Sequence, residues 1–585
     1  MRRRRRLTVW RWAFAGLATC AAGAGAQVVT PSQQIIRDLA PVERPSLAPG
    51  LQAPPVRAQQ GLSTQADISV SAVTFSGNTA LGAERLRAAT AGLTGGRVSA
   101  ADIEASRIAI LTEYRTRGFP FVSVVAITRP QGNAVAVEFS VQEGRIVRVT
   151  LDRDIGPAGV QVLRFLRGAM SGEVTTTSRL ERALLLANDV PGVTVRAVLR
   201  PLEGGTAGEL ELVGEVTRRP FSGLITGDNR GFRLSGPVQF LAIGQANSFT
   251  SLGERTEVTF FTSAQAEALF GQVSNEFFVG GSGLRVRLYA GAGRNNPSGS
   301  LSAIGYAGLT RTAGAAVSYP IIRSRSANLL FGTQFDLYDS TIDTGTAQVI
   351  RTSRDYIRAF RAGLDGQYLD SFLPLAAPAT NTANVRVHQG VTALGASRTG
   401  TTPGPARQGS EFGFTKLTGE VQRVQPIYAI RPNMLVSIQG TVAGQWTSNV
   451  LPSAEKFFIG GNRLGRGFYS GQLSGDRALV GSIELQLDVG LPSFNATPMG
   501  SAPVTIRPAA QFYAFYDAGR TYENLRTDPN RRAESFGIGV RTNFNDTVSI
   551  DLEGVRRLTR QVDAGGTSVR PLATDAGYVR VLTRF

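Results

Sequence analysis

Two patterns of apolar and polar positions divide the chain. Between residues 66 and 218, stretches that alternate every second residue are interleaved with stretches spaced as amphipathic helices, whereas from residue 219 onward only the alternation persists. In the first region the spacing predicts a strand over Ser69–Phe75, a turn at Gly77-Asn78, helices over Ala83–Ala91 and Ser99–Arg117, and strands over Val122–Arg129 and Ala134–Gln142. The order returns as a strand over Ile146–Leu151, helical segments over Gln161–Gly168 and Ser178–Ala187, and strands over Val193–Pro201 and Glu209–Val216. The unit, compact and α+β, is therefore repeated once with weak identity.

Beyond residue 219, segments of about ten residues alternate and are separated by Gly, Asn, Pro and Ser. Leu329, Phe331, Thr333, Phe335 and Leu337 share one face against Gly332, Gln334, Asp336 and Tyr338. Likewise Ile483, Leu485, Leu487 and Val489 oppose Ser482, Glu484, Gln486 and Asp488. Alternation alone fits a soluble sandwich with its apolar face inward as well as a membrane barrel with that face outward. At roughly 23 residues per strand plus connection, residues 219 to 585 hold about 16 strands, an even number that antiparallel closure favours. The chain end, Gly577 to Phe585, puts Val579, Val581, Thr583 and the terminal Phe585 on one face and resembles the sorting signal of outer-membrane barrels.

Composition acts mainly by exclusion. Outside residues 7 to 26 no stretch approaches the ~20 apolar residues of a spanning helix. The single Cys, Cys20, and the single His, His388, leave no material for a Cys/His metal cluster, a Ser-His-Asp set or a disulfide. The two lysines follow Thr415 and Glu455, so a Walker A loop is absent. The formal charge is +18, of which Arg2 to Arg6 and Arg11 supply six; the remaining arginines are spread evenly, without the basic stripe of a nucleic-acid binder. No cofactor, metal, nucleic acid or enzymatic activity is expected.

Arg2 to Arg6, the apolar run Leu7 to Ala22 and the small residues Ala24-Gly25-Ala26 match a secretory leader over residues 1–26, with acylation of Cys20 in Leu17-Ala18-Thr19-Cys20 as the rival reading. Residues 27–65 then combine a short segment that could hold a helix, Pro31 to Leu39, with a proline-rich linker.

The densest motif is Phe457-Phe458-Ile459-Gly460-Gly461-Asn462-Arg463-Leu464-Gly465-Arg466-Gly467-Phe468, followed by Gly475-Asp476 and the strand containing Glu484. Glycines let a backbone pack closely inside a lumen, and an Arg fork can pair with a carboxylate on the inner wall. An ordinary solvated loop also fits this composition.

The run resembles the Arg-Gly-Phe/Tyr signature of the sixth extracellular loop in the superfamily of outer-membrane insertases and two-partner-secretion pores. Phe515-Tyr516-Asp517-Ala518-Gly519 is similar to that superfamily's Phe-x-Asp-x-Gly element. The resemblance implies a loop latch in the barrel lumen built on Arg466, Gly467 and Phe468, with the loop glycines Gly460 and Gly461, Asp517 as the partner of Arg466, and Glu484 as second candidate. Gly465 stands where the family usually has Val or Leu, and Ala478 where a Gly is common, which puts the packing of the loop in question.

Three further stretches resemble the TpsB transporters, the haemolysin-activator-like branch. These are Tyr114 to Pro120 with Val141 to Ile146, as in a first POTRA domain; Gly227-Asp228-Asn229-Arg230-Gly231 with Gly236 and Asn247, as in the first barrel hairpin; and Ser318 to Arg325, as in a mid-barrel strand and turn. The family implies a mainly β fold: two periplasmic α+β POTRA domains (66–145 and 146–218), then an antiparallel transmembrane β-barrel (219–585) in the bacterial outer membrane. It implies type V two-partner secretion of an unfolded exoprotein, a TpsA-like adhesin or cytolysin. It also implies contact with outer-membrane lipid, insertion by barrel-assembly and periplasmic chaperone machinery, and a plug helix at Gln33 to Leu39. Two POTRA units favour secretion over the alternative, a β-barrel outer-membrane protein insertase, which carries more. A solute porin has no use for two preceding α/β units, and a surface enzyme would need a catalytic set that is missing.

Overall fold

The computed structural model of the protein describes residues 68–94, 97–170, 172–299, 301–496, 504–545, 547–561 and 571–585. The expected leader, Cys20, the Gln33 to Leu39 plug and the linker lie outside the described residues.

The first unit contains β1 (Ile68–Ser76), α1 (Ala83–Ala89), β2 (Arg97–Val98), α2 (Ala100–Thr116), β3 (Val122–Gln131) and β4 (Ala134–Glu143). Its sheet runs β2-β1-β4-β3, with β1 and β4 parallel. The sequence reading missed β2, since two residues are too few to display a period. Helix α2 begins where Ser99 and Asp102 cap reciprocally: the Asp102 carboxylate accepts from the Ser99 N–H at 2.7 Å, and the Ser99 hydroxyl accepts from the Asp102 N–H. Ile103, Ile110 and Tyr114 then fall on the face buried against Val137 and Phe139. At the inner end of that face the Glu143 carboxylate accepts from the Tyr114 hydroxyl at 2.8 Å and from the N–H groups of Thr79 and Ala80 at 2.9 and 2.8 Å. Burial, reinforced by this carboxylate, pushes the Tyr114 hydroxyl pKa up. The separated Tyr114 and Glu143 motifs are thus two halves of one contact.

The second unit contains β5 (Arg145–Leu151), α3 (Ala158–Leu166), α4 (Thr177–Asn188), β6 (Val193–Pro201) and β7 (Glu209–Arg218), with sheet order β5-β7-β6. Val162, Phe165, Leu166, Leu186 and Leu212 form its core.

Sixteen antiparallel strands close into a barrel. The first eight are β8 (Phe221–Asp228), β9 (Gln239–Asn247), β10 (Arg255–Ser263), β11 (Ala268–Val279), β12 (Leu284–Asn295), β13 (Ala307–Arg323), β14 (Ala327–Thr344) and β15 (Ile350–Asp370). There follow β16 (Ala379–Gly390), β17 (Thr415–Arg431) and β18 (Met434–Thr447); a loop hairpin of β19 (Phe457–Ile459) and β20 (Leu473–Gly475); and β21 (Arg477–Gly490). A second small hairpin, β22 (Phe494–Ala496) and β23 (Val504–Ile506), precedes β24 (Pro508–Tyr522), β25 (Arg531–Phe544), β26 (Val548–Arg557) and β27 (Asp575–Arg584). β27 pairs with β8, and Phe585 extends the closure by exchanging backbone hydrogen bonds of 3.0 and 3.1 Å with Gly223.

Burial settles which face is which. In β21, Ile483 and Leu485 are 51% and 53% exposed on the outside, whereas Glu484 is 1% exposed within. The apolar face points outward, as a lipid-facing barrel requires and a soluble sandwich forbids. The expected ten-residue segments fail in the middle of the barrel, where β13, β14 and β15 run for 17, 18 and 21 residues. Their pairing continues through polar stretches such as Arg351–Asp355, where the ladder persists but the apolar face has ended.

The second unit docks on one end of the barrel, here termed proximal. Phe165 of α3 meets Phe278 edge-on with ring centres 5.0 Å apart, and the Gln161 amide donates to the Gly280 carbonyl at 2.9 Å. Asp189, at the end of α4, pairs with Arg323 at 2.7 Å and Arg285 at 3.1 Å, and Arg182 donates to the Pro320 carbonyl at 2.9 Å. The Ser318 to Arg325 motif therefore supplies part of the barrel's half of this joint, through Pro320 and Arg323.

Candidate functional site

The sixth distal loop, 448–476, turns inward. Its β19–β20 hairpin is closed by a tight bend in which Gly460 and Gly461 adopt φ +113° and +110°. A Cβ on Gly460 would sit 2.1 Å from the Tyr469 carbonyl oxygen, so only glycine fits. Gly465, the departure from the family pattern, turns with φ +74° close against Ile459. The bend carries Arg466 into the wall formed by β21, β24 and β25.

There Arg466, 3% exposed, engages both carboxylates at once. Its Nη2 donates to Asp517 Oδ1 at 2.9 Å and to the Ser482 hydroxyl at 2.9 Å; its backbone N–H and Nε donate to Asp517 Oδ2 at 2.8 and 3.1 Å; its Nη1 donates to Glu484. The guanidinium also lies 3.7 Å over the Phe515 ring. Asp517 and Glu484 are thus joint partners, not first and second choices. Glu484 is shared with Arg541 at 2.7 Å.

Gly467 presses against the β25 wall: a Cβ would lie 2.5 Å from that of Ser535, and its carbonyl accepts from Arg557 and the Tyr578 hydroxyl. Phe468, fully buried, packs with Ile459, Leu473, Val480 and Ala533. The other side of the loop reaches the opposite wall. Glu455 pairs with Arg361 at 2.7 Å and Lys416 at 2.8 Å, and Arg463 with Glu420 at 2.5 Å. His388, a strand residue in β16, hydrogen-bonds Thr418 at 3.0 Å and touches Arg361. A cavity of 590 Å³ beside the loop is lined by Arg287, Asp336, Arg386 and Glu420, among others. The loop therefore occupies the lumen and ties its two sides together.

Two clamps escaped the sequence reading. Arg230, in the motif read as a hairpin turn, pairs with Glu553 at 2.6 Å and donates to the Gly461 carbonyl at 3.3 Å, while Asp228 accepts from Asn462 at 2.8 Å. Arg407, in the fifth distal loop, pairs with Asp476 at 2.6 Å, Glu523 at 2.9 Å and Asp528 at 2.9 Å, and Lys456 joins Glu523 at 2.7 Å. Asp228-Asn229-Arg230-Gly231 and Gly475-Asp476 were visible signals whose partners were not.

A family model described as haemolysin secretion/activation protein ShlB/FhaC/HecB matches residues 212–542. The chain belongs to this family. A POTRA model, described as surface antigen variable number repeat, matches residues 68–144 of this haemolysin secretion/activation family member. Among curated proteins it is similar to the heme/hemopexin transporter protein HuxB of Haemophilus influenzae, 22% identical over 407 residues that make up 67% of this chain and 66% of HuxB, just under two-thirds of that relative. Its fold is similar to CdiB from Escherichia coli (TM-score 0.66, 17% identity, 92% of this chain and 94% of that one). CdiB from Acinetobacter baumannii is likewise similar (TM-score 0.60, 15% identity, 96% and 99%). BamA from Haemophilus ducreyi lacking POTRA domains 1–3 shares the fold at TM-score 0.50, with 12% identity over 89% of this chain and all of that one.

Proposed function

We propose that the protein is an outer-membrane secretion pore of the two-partner type, which takes an unfolded exoprotein at its POTRA units and passes it through the barrel to the cell surface. In this reading 66–145 and 146–218 are POTRA 1 and POTRA 2 in the periplasm, 219–585 is the membrane barrel, and the distal loops face outward. The cargo is a secreted adhesin or cytolysin. The observation that carries the proposal is the sixth loop held inside the lumen by Arg466, Asp517 and Glu484, in a member of a secretion family. Such a loop blocks passive diffusion, so transport requires its displacement, and the pairing sets the cost of that step. Breaking one side of a buried pair costs about 3–5 kcal/mol.

The test compares culture-supernatant and outer-membrane proteins with and without the gene. Loss of one large secreted protein with the other barrels unchanged is the expected result. A collective fall in outer-membrane barrels would instead identify an insertase.

A further inference from the structure

Arg477, Tyr522, Arg520 and Arg532 stand together on the outer face of the barrel at its distal rim. The ladders place Arg477 opposite Tyr522, Leu479 opposite Arg520, and Arg520 opposite Arg532. Leu479, 60% exposed, marks this face as the outer one. Two guanidinium groups directly opposite on neighbouring strands, with Cβ atoms ~5 Å apart, repel one another. Among the described residues neither Arg520 nor Arg532 meets a carboxylate. Arg520 and Arg477 instead flank the Tyr522 ring at 5.0 and 5.7 Å, and Arg477 Nε is buried without a hydrogen-bond partner.

Arg532 also lines a cleft of 440 Å³ with Arg531, Arg560 and Leu558, and among the described residues no carboxylate contributes to its wall. Glu534 is the nearest acid on the same face of β25, one step toward the proximal end. Below the cations Gly481 and Ala518 keep the surface low. The next outward row, Ile483, Tyr516 and Phe536, is apolar and 51%, 42% and 44% exposed.

We propose that this rim is a binding site for the phosphorylated headgroup of an outer-leaflet lipid. The phosphate bridges Arg520 and Arg532, and the acyl chains run down over Ile483, Tyr516 and Phe536. A phosphate has several acceptor oxygens for two planar forks and turns a repulsive pair into an attractive one. At the hydrocarbon boundary an uncompensated cation is costly, so an anion supplied by the membrane itself suits the position. A soluble anion could use the arginines but would leave the apolar row unused, which favours a lipid. The inference rests on the proposed orientation of the barrel.

Purified full-length protein in detergent is to be mixed separately with bisphosphorylated lipid A and with its dephosphorylated form, and retained lipid counted by native mass spectrometry. The wild type is expected to retain the phosphorylated lipid about tenfold better than the dephosphorylated one, and the Arg520→Gln/Arg532→Gln variant to lose that preference. Excess inorganic phosphate should not displace the lipid. Equal retention of the two lipids, an unchanged variant, or displacement by inorganic phosphate would each overturn the proposal. Heat-modifiable gel migration checks that the variant barrel is folded. Protease cleavage of a tag in the fifth distal loop on whole cells tests the orientation separately: an inaccessible tag overturns the orientation and the lipid-leaflet assignment, whereas an accessible tag with no lipid preference overturns the site alone.

Discussion

Arg230 and Tyr578 stack across the seam where the barrel closes, the guanidinium carbon lying 3.9 Å from the ring centre. Arg230 follows β8 and Tyr578 belongs to β27, so one cation fastens the first and last strands while its Nη2 holds Glu553. Arg230→Ala takes the arginine from Glu553, whose side chain is 4% exposed and keeps the Tyr513 hydroxyl at 2.9 Å, and should destabilise the closed barrel by about 3 kcal/mol. The expected readout is a lower temperature for conversion of the compact, fast-migrating form on a detergent gel. Adding Glu553→Gln should recover part of the loss; an unmoved midpoint in Arg230→Ala would rule out the seam clamp.

Arg466→Ala should reduce export of the cargo strongly while leaving folded barrel in the membrane. The guanidinium serves two carboxylates and a hydroxyl, so Arg466→Lys, a point charge without the fork, should restore little. Export and heat-modifiable barrel are measured on the same cells. Normal export by the alanine variant would sink the latch.

Arg407 holds the base of the sixth loop from above. Its three carboxylate partners lie on two different distal loops, and its side chain is 2% exposed. Arg407→Ala should loosen the loop without touching Arg466, and single-channel recordings in planar bilayers should register more frequent and larger conductance steps. Recordings indistinguishable from wild type would mean the fifth loop is passive.

The difference in legibility among these three arginines has a physical origin. Arg466 could be placed because the run of glycines and aromatics around it is a short local pattern that resembles a family signature; by composition alone that run fits a solvated loop as well. Arg230 and Glu553 are 323 residues apart, and nothing in either local stretch encodes the other. Arg407 sits in a Gly- and Thr-rich loop with the composition of solvated linkers, yet it is buried because two other loops fold over it. The strand count was legible because strand plus connection has a typical length that the 219–585 segment divides evenly; the length of β15 was not, because backbone pairing extends past the apolar band with no apolar requirement. Alternation likewise gave two faces without naming the outer one, which burial of Glu484 decides.

The joint at Asp189 distributes stiffness unevenly around the barrel axis. Its ion pairs to Arg323 and Arg285, together with the contacts of Gln161, Arg182 and Phe165, all land on strand ends and turns between β11 and β14. A tug on anything held by the second α+β unit is therefore delivered to that quadrant as through a bracket fixed to one wall of a pipe, and also to β8 and the turn after β9, through the chain itself and the bonds of Ser248 with Arg218 and Pro191 at 3.0 and 2.7 Å. The opposite quadrant, β24 to β27, carries Asp517, Glu553 and Tyr578 and so bears the sixth loop and the seam. Load thus enters both through this bracket and through β8, whose partner β27 closes the seam that those fastenings hold.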